Sequence, residues 1–535
     1  MNSNGNLAAL EEYANQRMRF KKSCFESLDF REMYIKVLTQ KGYSEDDTFF
    51  IDYMFNVDTA EQRAAIYTRT HSFEYALVQF QSNLRRLYLQ YDEREPDFAV
   101  YKAETVLLVV MLSSMCGNHT CKEHASFWFE FNPILQYLVP NMPSPKYMIS
   151  AETVRFILKL IPNDAFEPFF KQYFSFPKHI QQDLENMFSD EEFRPLCGCD
   201  GEETRASFRR GCLSRKKKAG NRVSIYNCSA RCVIDYDIVA KKNNETKAIM
   251  KMIANGASIP NDAIICADAI NARASLIDFL NERNIDWLFS LKTNLGNGKL
   301  YDAMEQYFGA NKDDCFKEYK VNKTGNRIEE REILIAPADK LALAKDNLQQ
   351  ELKSIIKIIK TTHPHLRDDN KNIADGVIKP RKPTTTVLYY ISSLEYNEHN
   401  CKQLVHSLQE RWLYETQHYI LDTAFLQDQQ QVCDDNHLAS IIGLNSMTLN
   451  VLTYAREKMS KSGHTNVKHR NAQTAATAKP LSYKATMQRM KSCITLAFQY
   501  LFEYLTAEQN RHYRASITKV IEHLYPKFLK TTLNA

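Results

Sequence analysis

The sequence predicts an α/β core that carries a β-rich insertion, with helical regions before and after it. Three observations carry that expectation. Residues 262–294, DAIICADAINARASLIDFLNERNIDWLFSLKTN, read as strand, helix and strand. Continuous apolar strands joined through a helix are how parallel pairs appear in a sequence. The chain is helical in texture up to about residue 190, turns to strand signals from about 194, and returns to long helices over about 398–460.

The strand–helix–strand unit is the sharpest element. Ala263 to Ala267 form an apolar strand that delivers an acid, Asp268, at its carboxyl end. Leu276, Phe279 and Leu280 then share one side of a helix, and a second strand, Trp287 to Leu291, stops at Lys292. Open α/β sheets place their chemistry just beyond the carboxyl ends of strands, which makes Asp268 a candidate site residue. The alternative is that Asp268 only caps the following helix.

The bulk numbers set the limits. At 535 residues the chain exceeds one core and should form several domains. Its 44% apolar and 25% charged residues are those of an ordinary folded protein, and its 15 Gly and 16 Pro favour helix. No run approaches the roughly 20 apolar residues of a membrane span, so no membrane is expected as a partner; Val106 to Met115 is far too short. MNSNGNLAALEEYANQ has no basic region followed by an apolar one, so no secretion signal is expected and the protein should work in the cytoplasm. Thirteen cysteines, scattered and odd in number, fit reduced thiols. Two groups raise the question of zinc: Cys116, His119, Cys121 and His124, and then Cys197, Cys199, Cys212, Cys228 and Cys232. Their spacings lack the paired Cys-x2-4-Cys pattern of structural zinc. A net charge of +5 says nothing about nucleic acid by itself, so that argument rests on local patches.

Taken in order, residues 1–95 read as a helical extension with no sharp motif. Residues 96–190 read as a helical module with helices over Val106–Met115, over Cys121–Leu138 and from Ser150 to Ile161. ISAETVRFILKLI puts Val154, Ile157, Leu158 and Ile161 on one face. A helix-turn-helix of this kind either reads DNA or simply packs. Residues 194–455 read as the α/β domain, with the β-rich insertion over about 310–385. Within it, CFKEYKVNKTGNRIEEREILIA alternates around Thr324-Gly325-Asn326 as a hairpin does. Lys340 to about Asp375 is highly charged and reads as helix plus loop, and Val387 to Leu394 as a further strand. Residues 456–482 form a basic linker and 483–535 a terminal helical segment.

Two further acids complete a constellation. Asp200 lies in GCDG, at an end of the first strand. After it, TRASFRRGCLSRKKKAGNR holds Arg205, Arg209, Arg210, Arg215, Lys216, Lys217, Lys218 and Arg222 with no acid among them. Such a run neutralises phosphates, although charge runs are ordinarily solvated loops. Further on, LVHSLQERWLYETQHYILDTAFLQD reads as a helix on which Arg411 and Glu415 stand four apart on one face. Trp412 reads as a core residue, with stacking on a displaced base as the alternative. Two strand-end aspartates and a helical glutamate suit divalent-metal phosphoryl transfer, in which two ions about 3.5–4 Å apart serve the attacking and leaving oxygens.

Several blocks then resemble, in order over roughly residues 100–455, the transposases of the H-repeat-associated DDE insertion-sequence type. They are CDGEETRASFRRG, KKNNETKAI, ADAINARA with IDWLFSLKTNLG, GNRIEERE, YYISSL and QERWLYETQHYILDTAFLQD. The resemblance implies a ribonuclease H-like core with Asp200, Asp268 and Glu415 as a catalytic, metal-binding triad for Mg2+ or Mn2+, two ions in all. It implies double-stranded DNA as partner, both terminal inverted repeats and target, with a homodimer in the synaptic complex of a bacterial, nucleoid-associated enzyme. The expected DNA contacts are Arg205, Arg209, Arg210, Lys216, Lys217, Lys292, Arg327 and Arg411. The sequence departs from the family at Leu408 and Asp422, where related enzymes carry Tyr and Lys, at Glu202 in place of a lysine, and at Leu295 in place of a glutamine. A catalytically degenerate DNA-binding descendant and another ribonuclease H-like nuclease are the alternatives to an active transposase.

Overall fold

A computed structural model describes residues 80, 84–88, 90–94, 99–139, 142–144, 146–174, 193–204, 221–239, 244–293, 297–324, 327–341, 351–364, 382–432, 434–461 and 480–505. The described residues separate into two compact units. One draws on segments within 1–184, 203–222 and 418–535, the other on segments within 185–202 and 223–417.

The first unit begins with α1 (Ala103–Met115), in which every residue is buried. AETVLLVVMLSSM has no polar stripe, so it can only be a central helix. Ser114 Oγ is satisfied within the helix, donating to the Val110 carbonyl at 2.8 Å. α2 (Cys121–Leu138) starts with a capping box, where the Thr120 side chain accepts from Glu123 N and Glu123 reaches back. In α3 (Ala151–Lys159), Ser150 caps by accepting from Thr153 N at 3.1 Å, and Val154, Ile157 and Leu158 are buried as the spacing predicts. Pro162 occupies the N-cap position of α4 (Asn163–Tyr173).

The second unit is built on β1 (Leu196–Glu203), β2 (Asn221–Asn227) and β3 (Cys232–Val239), followed by α5 (Glu245–Ala254). Then come β4 (Ile264–Ala267), α6 (Ala274–Asn281), β5 (Trp287–Leu291) and α7 (Gly298–Ala310). β6 (Phe316–Thr324), β7 (Arg327–Pro337), β8 (Ser354–Pro364) and β9 (Thr384–Ser392) complete the strands, and α8 (Glu398–Glu410) and α9 (Trp412–Thr423) follow. α9 continues past residue 417 into the first unit. That unit closes with α10 (Asp435–Lys461), α11 (Tyr483–Ser492) and α12 (Ile494–Leu505).

α10 is the one described helix long and apolar enough to cross a membrane by composition, yet its apolar window is wholly buried within the protein. It packs against α1, α3, α4 and α12. Its polar groups anchor it: Ser440 Oγ donates to the Leu158 carbonyl at 2.7 Å and Asn450 Nδ2 to the Phe174 carbonyl at 3.0 Å. It falls in the first unit with the rest of 418–535.

Among the described residues, nine strands form one sheet in the order β3-β2-β1-β4-β5-β9-β8-β7-β6. β1 and β4 are parallel, as are β4 and β5, whereas β5–β9, β9–β8, β8–β7 and β7–β6 are antiparallel. The expected strand–helix–strand unit is thus present as β4–α6–β5, and Leu276, Ile277 and Leu280 of α6 are buried against the sheet with Trp287 and Phe289. Each such side chain contributes about 1.5–3 kcal/mol of burial. The β-rich insertion extends the same sheet rather than standing apart from it. The β6–β7 hairpin pairs Thr324 with Arg327, and the turn residues 325–326 lie outside the described residues.

Two expectations are corrected. Residues 354–364, expected within a charged helix and loop, form β8. β-branched Ile355, Ile356, Ile358 and Ile359 suit a strand paired on both sides, and the flanking charges masked that signal. Arg222, read as part of the basic loop, is a buried residue of β2, 1% exposed.

Candidate active site

The register of two strands places the first two acids. Gly198 lies opposite Cys266 and Cys199 opposite Ala267 on parallel β1 and β4. The next positions along each strand are Asp200 and Asp268, so both acids leave the sheet at one level and one edge. β1 is buried from Leu196 to Cys199 and becomes partly exposed from Asp200 onward. Asp200 is thus the point where a strand emerges from the core, rather than the strand's terminal residue.

Asp268 stands at the cap position of a short 3-10 turn, Ala269–Asn271, but its side chain makes no capping hydrogen bond. Capping is therefore not its role. Its Oδ1 accepts from Tyr414 Oη at 3.0 Å and from Arg411 Nη1 at 3.4 Å.

Arg411 is the hub. It lies at the α8–α9 junction, and its N–H bonds the Ser407 carbonyl at 2.9 Å. The side chain is 7% exposed; Nη2 donates to Glu415 Oε1 at 2.9 Å and Nη1 to Tyr414 Oη at 2.7 Å. The four-residue spacing that predicted the Arg411–Glu415 pair is realised as helical geometry. Arg411 also lies 4.9 Å from the Trp412 ring, which Arg331 and Lys360 approach at 5.0 and 4.9 Å. Trp412 is half-buried and surrounded by cations, not a plain core residue.

The electrostatics follow from this packing. Burial raises the Glu415 carboxyl, neighbouring Asp268 raises it further, and Arg411 opposes both. Burial pushes the Tyr414 phenol far above its ordinary value, so it keeps its proton and donates. Cys266, next to the site, is pushed up to about 12 by burial and stays a neutral thiol.

A fourth acid was not singled out by the sequence reading. Glu245 opens α5, is 2% exposed, and its Oε1 would meet a Cβ placed on Gly201 at 2.4 Å. Gly201 lets the Glu245 side chain approach β1 this closely. Gly201 N also donates to Asp200 Oδ1 at 2.8 Å. Asn271 Nδ2 approaches Glu245 Oε2 at 3.4 Å and Asn271 accepts from Thr246 at 2.9 Å, which ties α5 to the turn after Asp268. The signal for Glu245 was its place in KKNNETKAI. Tyr414 carried no signal beyond standing beside Glu415.

The donor chemistry fits a hard divalent cation: oxygen ligands, partly exposed, with like charges that a cation relieves. Among the described residues, however, no three His, Cys, Asp or Glu side chains are gathered closely enough to hold one ion. Arg411 supplies the positive charge between Asp268 and Glu415. Among the described residues, neither cysteine group is assembled for zinc. His124 Nδ1 bonds Ser113 Oγ at 2.9 Å, Cys121 Sγ lies 3.7 Å from His437, and Cys197, Cys199, Cys228 and Cys232 are buried cysteines outside any disulfide. Cys212 lies outside the described residues.

Of the expected DNA contacts, Lys292 is exposed just past β5 and Arg327 opens β7. Arg205, Arg209, Arg210, Lys216 and Lys217 lie outside the described residues. Leu408, where related enzymes carry a tyrosine, is 3% exposed and packs inside.

Residues 201–451 match the family model described as the transposase DDE domain. That span begins one residue after Asp200 and contains Asp268, Arg411 and Glu415. A cryo-EM structure titled as a piggyBac transposase synaptic complex with hairpin DNA aligns at a TM-score of 0.35 and 10% identity, over 82% of each chain. No curated protein matches the sequence. What the comparisons show of this chain is therefore a segment, residues 201–451, similar to a transposase DDE domain.

Proposed function

We propose that this protein is a transposase that catalyses metal-dependent cleavage and strand transfer at the ends of an insertion sequence, with Asp200, Asp268 and Glu415 as its catalytic acids. The observation that carries the reading is the shared level of Asp200 and Asp268 on parallel β1 and β4, with Glu415 tied to Asp268 through Arg411. The strand order β3-β2-β1-β4-β5 supports a ribonuclease H-like core. Asp200, Asp268 and Glu415 would hold Mg2+ or Mn2+, probed as two ions. Bound there, the ions supply activation of the attacking oxygen and stabilisation of the leaving one.

The chain's own groups do the rest. Tyr414 and Arg411 fix the carboxylates of Asp268 and Glu415, so the acids meet substrate already oriented. Arg411 and Lys360, both at the Trp412 ring and both acting to lower the Glu415 carboxyl, supply positive charge beside the acids for a phosphodiester, while Arg331 and Lys360 also pair with Glu329 at 2.9 and 3.2 Å. Water and then the freed 3′-hydroxyl attack DNA phosphodiesters in turn. Double-stranded DNA, as terminal inverted repeats and target, is the substrate, with a homodimer in the synaptic complex and the bacterial nucleoid as the place of action.

The test is cleavage of a duplex bearing the flanking inverted repeats in Mg2+ or Mn2+. Wild type is expected to nick and join these ends, and Asp268→Ala to bind DNA without cutting it. A second reading, a DNA-binding descendant without catalysis, is favoured by the buried Leu408 at a position where related enzymes carry a tyrosine. Wild type that binds the repeats and never cuts them establishes that reading instead.

A further inference from the structure

We propose that Tyr414 is the positioning residue for the second acid, Asp268, and that Gly198 is the opening through which its ring reaches that acid. This rests on the reading that Asp268 is a metal ligand.

Tyr414 lies three residues after Arg411 on α9, on the same helical face. Its hydroxyl accepts from Arg411 Nη1 at 2.7 Å and donates to Asp268 Oδ1 at 3.0 Å. The direct Arg411–Asp268 contact is longer, at 3.4 Å, so the phenol is the shorter hold on the carboxylate. Both contacts converge on Oδ1, and Oδ2 carries neither. The phenol donates its O–H to the carboxylate and so fixes its orientation.

The path of the ring is set by β1. A Cβ at Gly198 would meet Tyr414 Cδ1 at 2.5 Å, Cγ at 3.0 Å and Cβ at 3.1 Å. A ring fixed by its own packing cannot yield as a flexible chain end does, and Tyr414 is 1% exposed. Gly198 lies opposite Cys266, two residues before Asp268, so ring and acid address the same end of the sheet. Glycine at 198, the ring, the phenol and Asp268 Oδ1 thus form one chain of contacts. Partners that orient a ligand's carboxylate typically account for 10–100-fold in metal affinity.

The experiment is a Mn2+ titration of the full chain without DNA, with free ion read by electron paramagnetic resonance and a thermal melt for each variant. Wild type is expected to bind Mn2+ in a way that Asp268→Asn abolishes. Tyr414→Phe keeps the ring and is expected to weaken Mn2+ binding about 10-fold with the melt shifted by only a few degrees. Gly198→Ala, which leaves every acid in place, is expected to weaken it similarly; where it does not fold, Tyr414→Phe decides alone. Wild-type Mn2+ affinity in Tyr414→Phe, with or without a lower melting point, overturns the positioning role. Mn2+ binding that ignores Asp268→Asn overturns the metal reading itself, and the proposal falls with it.

Discussion

Arg411 combines burial with three polar partners, at 2.7 Å to Tyr414, 2.9 Å to Glu415 and 3.4 Å to Asp268. Its two acid partners are 38% and 41% exposed, so solvent screens their share of the pairing. Arg411→Met is therefore expected to cost about 1–3 kcal/mol, less than the loss of a fully buried pair. The same substitution removes the cation that opposes the rise of the Glu415 carboxyl. Glu415 should then titrate at still higher pH, which carbon-13 NMR of its carboxyl can read. Unchanged titration would show that Arg411 does not govern the acid. The Arg411–Glu415 pair was legible in the sequence because helical spacing is local. The reach of Tyr414 to Asp268, across 146 positions, was not.

At the scale of elements, local chemistry accounts for most boundaries. α2 starts where Thr120 and Glu123 form a capping box, and α3 starts at Ser150. Ser150→Ala is expected to cost about 1 kcal/mol, measured as a shift in urea midpoint. Leu280 of α6, fully buried against the sheet, is a stronger test: Leu280→Ala should cost about 2–5 kcal/mol. A smaller loss would mean that α6 is not held by this face. β4–α6–β5 was readable because its strands are uninterrupted apolar runs. β8 was not, because Lys357, Lys360 and the neighbouring charges conceal a strand whose identity comes from pairing with β7 and β9.

At the scale of the molecule, the helical unit carries its own pH dependence. Burial holds His124 down to about 3 and His437 down to about 4. His124 faces Ser113, His119 and Glu123, and His437 faces Cys121, Lys159, Asp434 and Arg155. Both folded values lie below the unfolded value of about 6.5. The unfolded chain therefore binds more protons as pH falls, and stability is fully present above about pH 6.5 and declines below it. Between pH 7 and 5 the expected loss is about 1–2 kcal/mol per histidine. Urea unfolding of wild type, His124→Gln and His437→Gln at both pH values checks this. Stability that rises on acidification in wild type would contradict it.

The sequence alone determined the apolar strands around Asp268, the caps of α2 and α3, and the ordered blocks that place Asp200, Asp268 and Glu415 in one reading. Those features depend on residues within a few positions of each other or on their order along the chain. The tertiary structure decided that Asp268 is not a cap, that α10 belongs with the helical unit, that β6–β9 extend the main sheet, and that Tyr414 and Glu245 join the site. Each of these depends on contacts between segments far apart in the chain, and no local spacing encodes such contacts. The register of β1 on β4 is the clearest case, since two aspartates 68 positions apart meet at one level only because Cys199 pairs with Ala267.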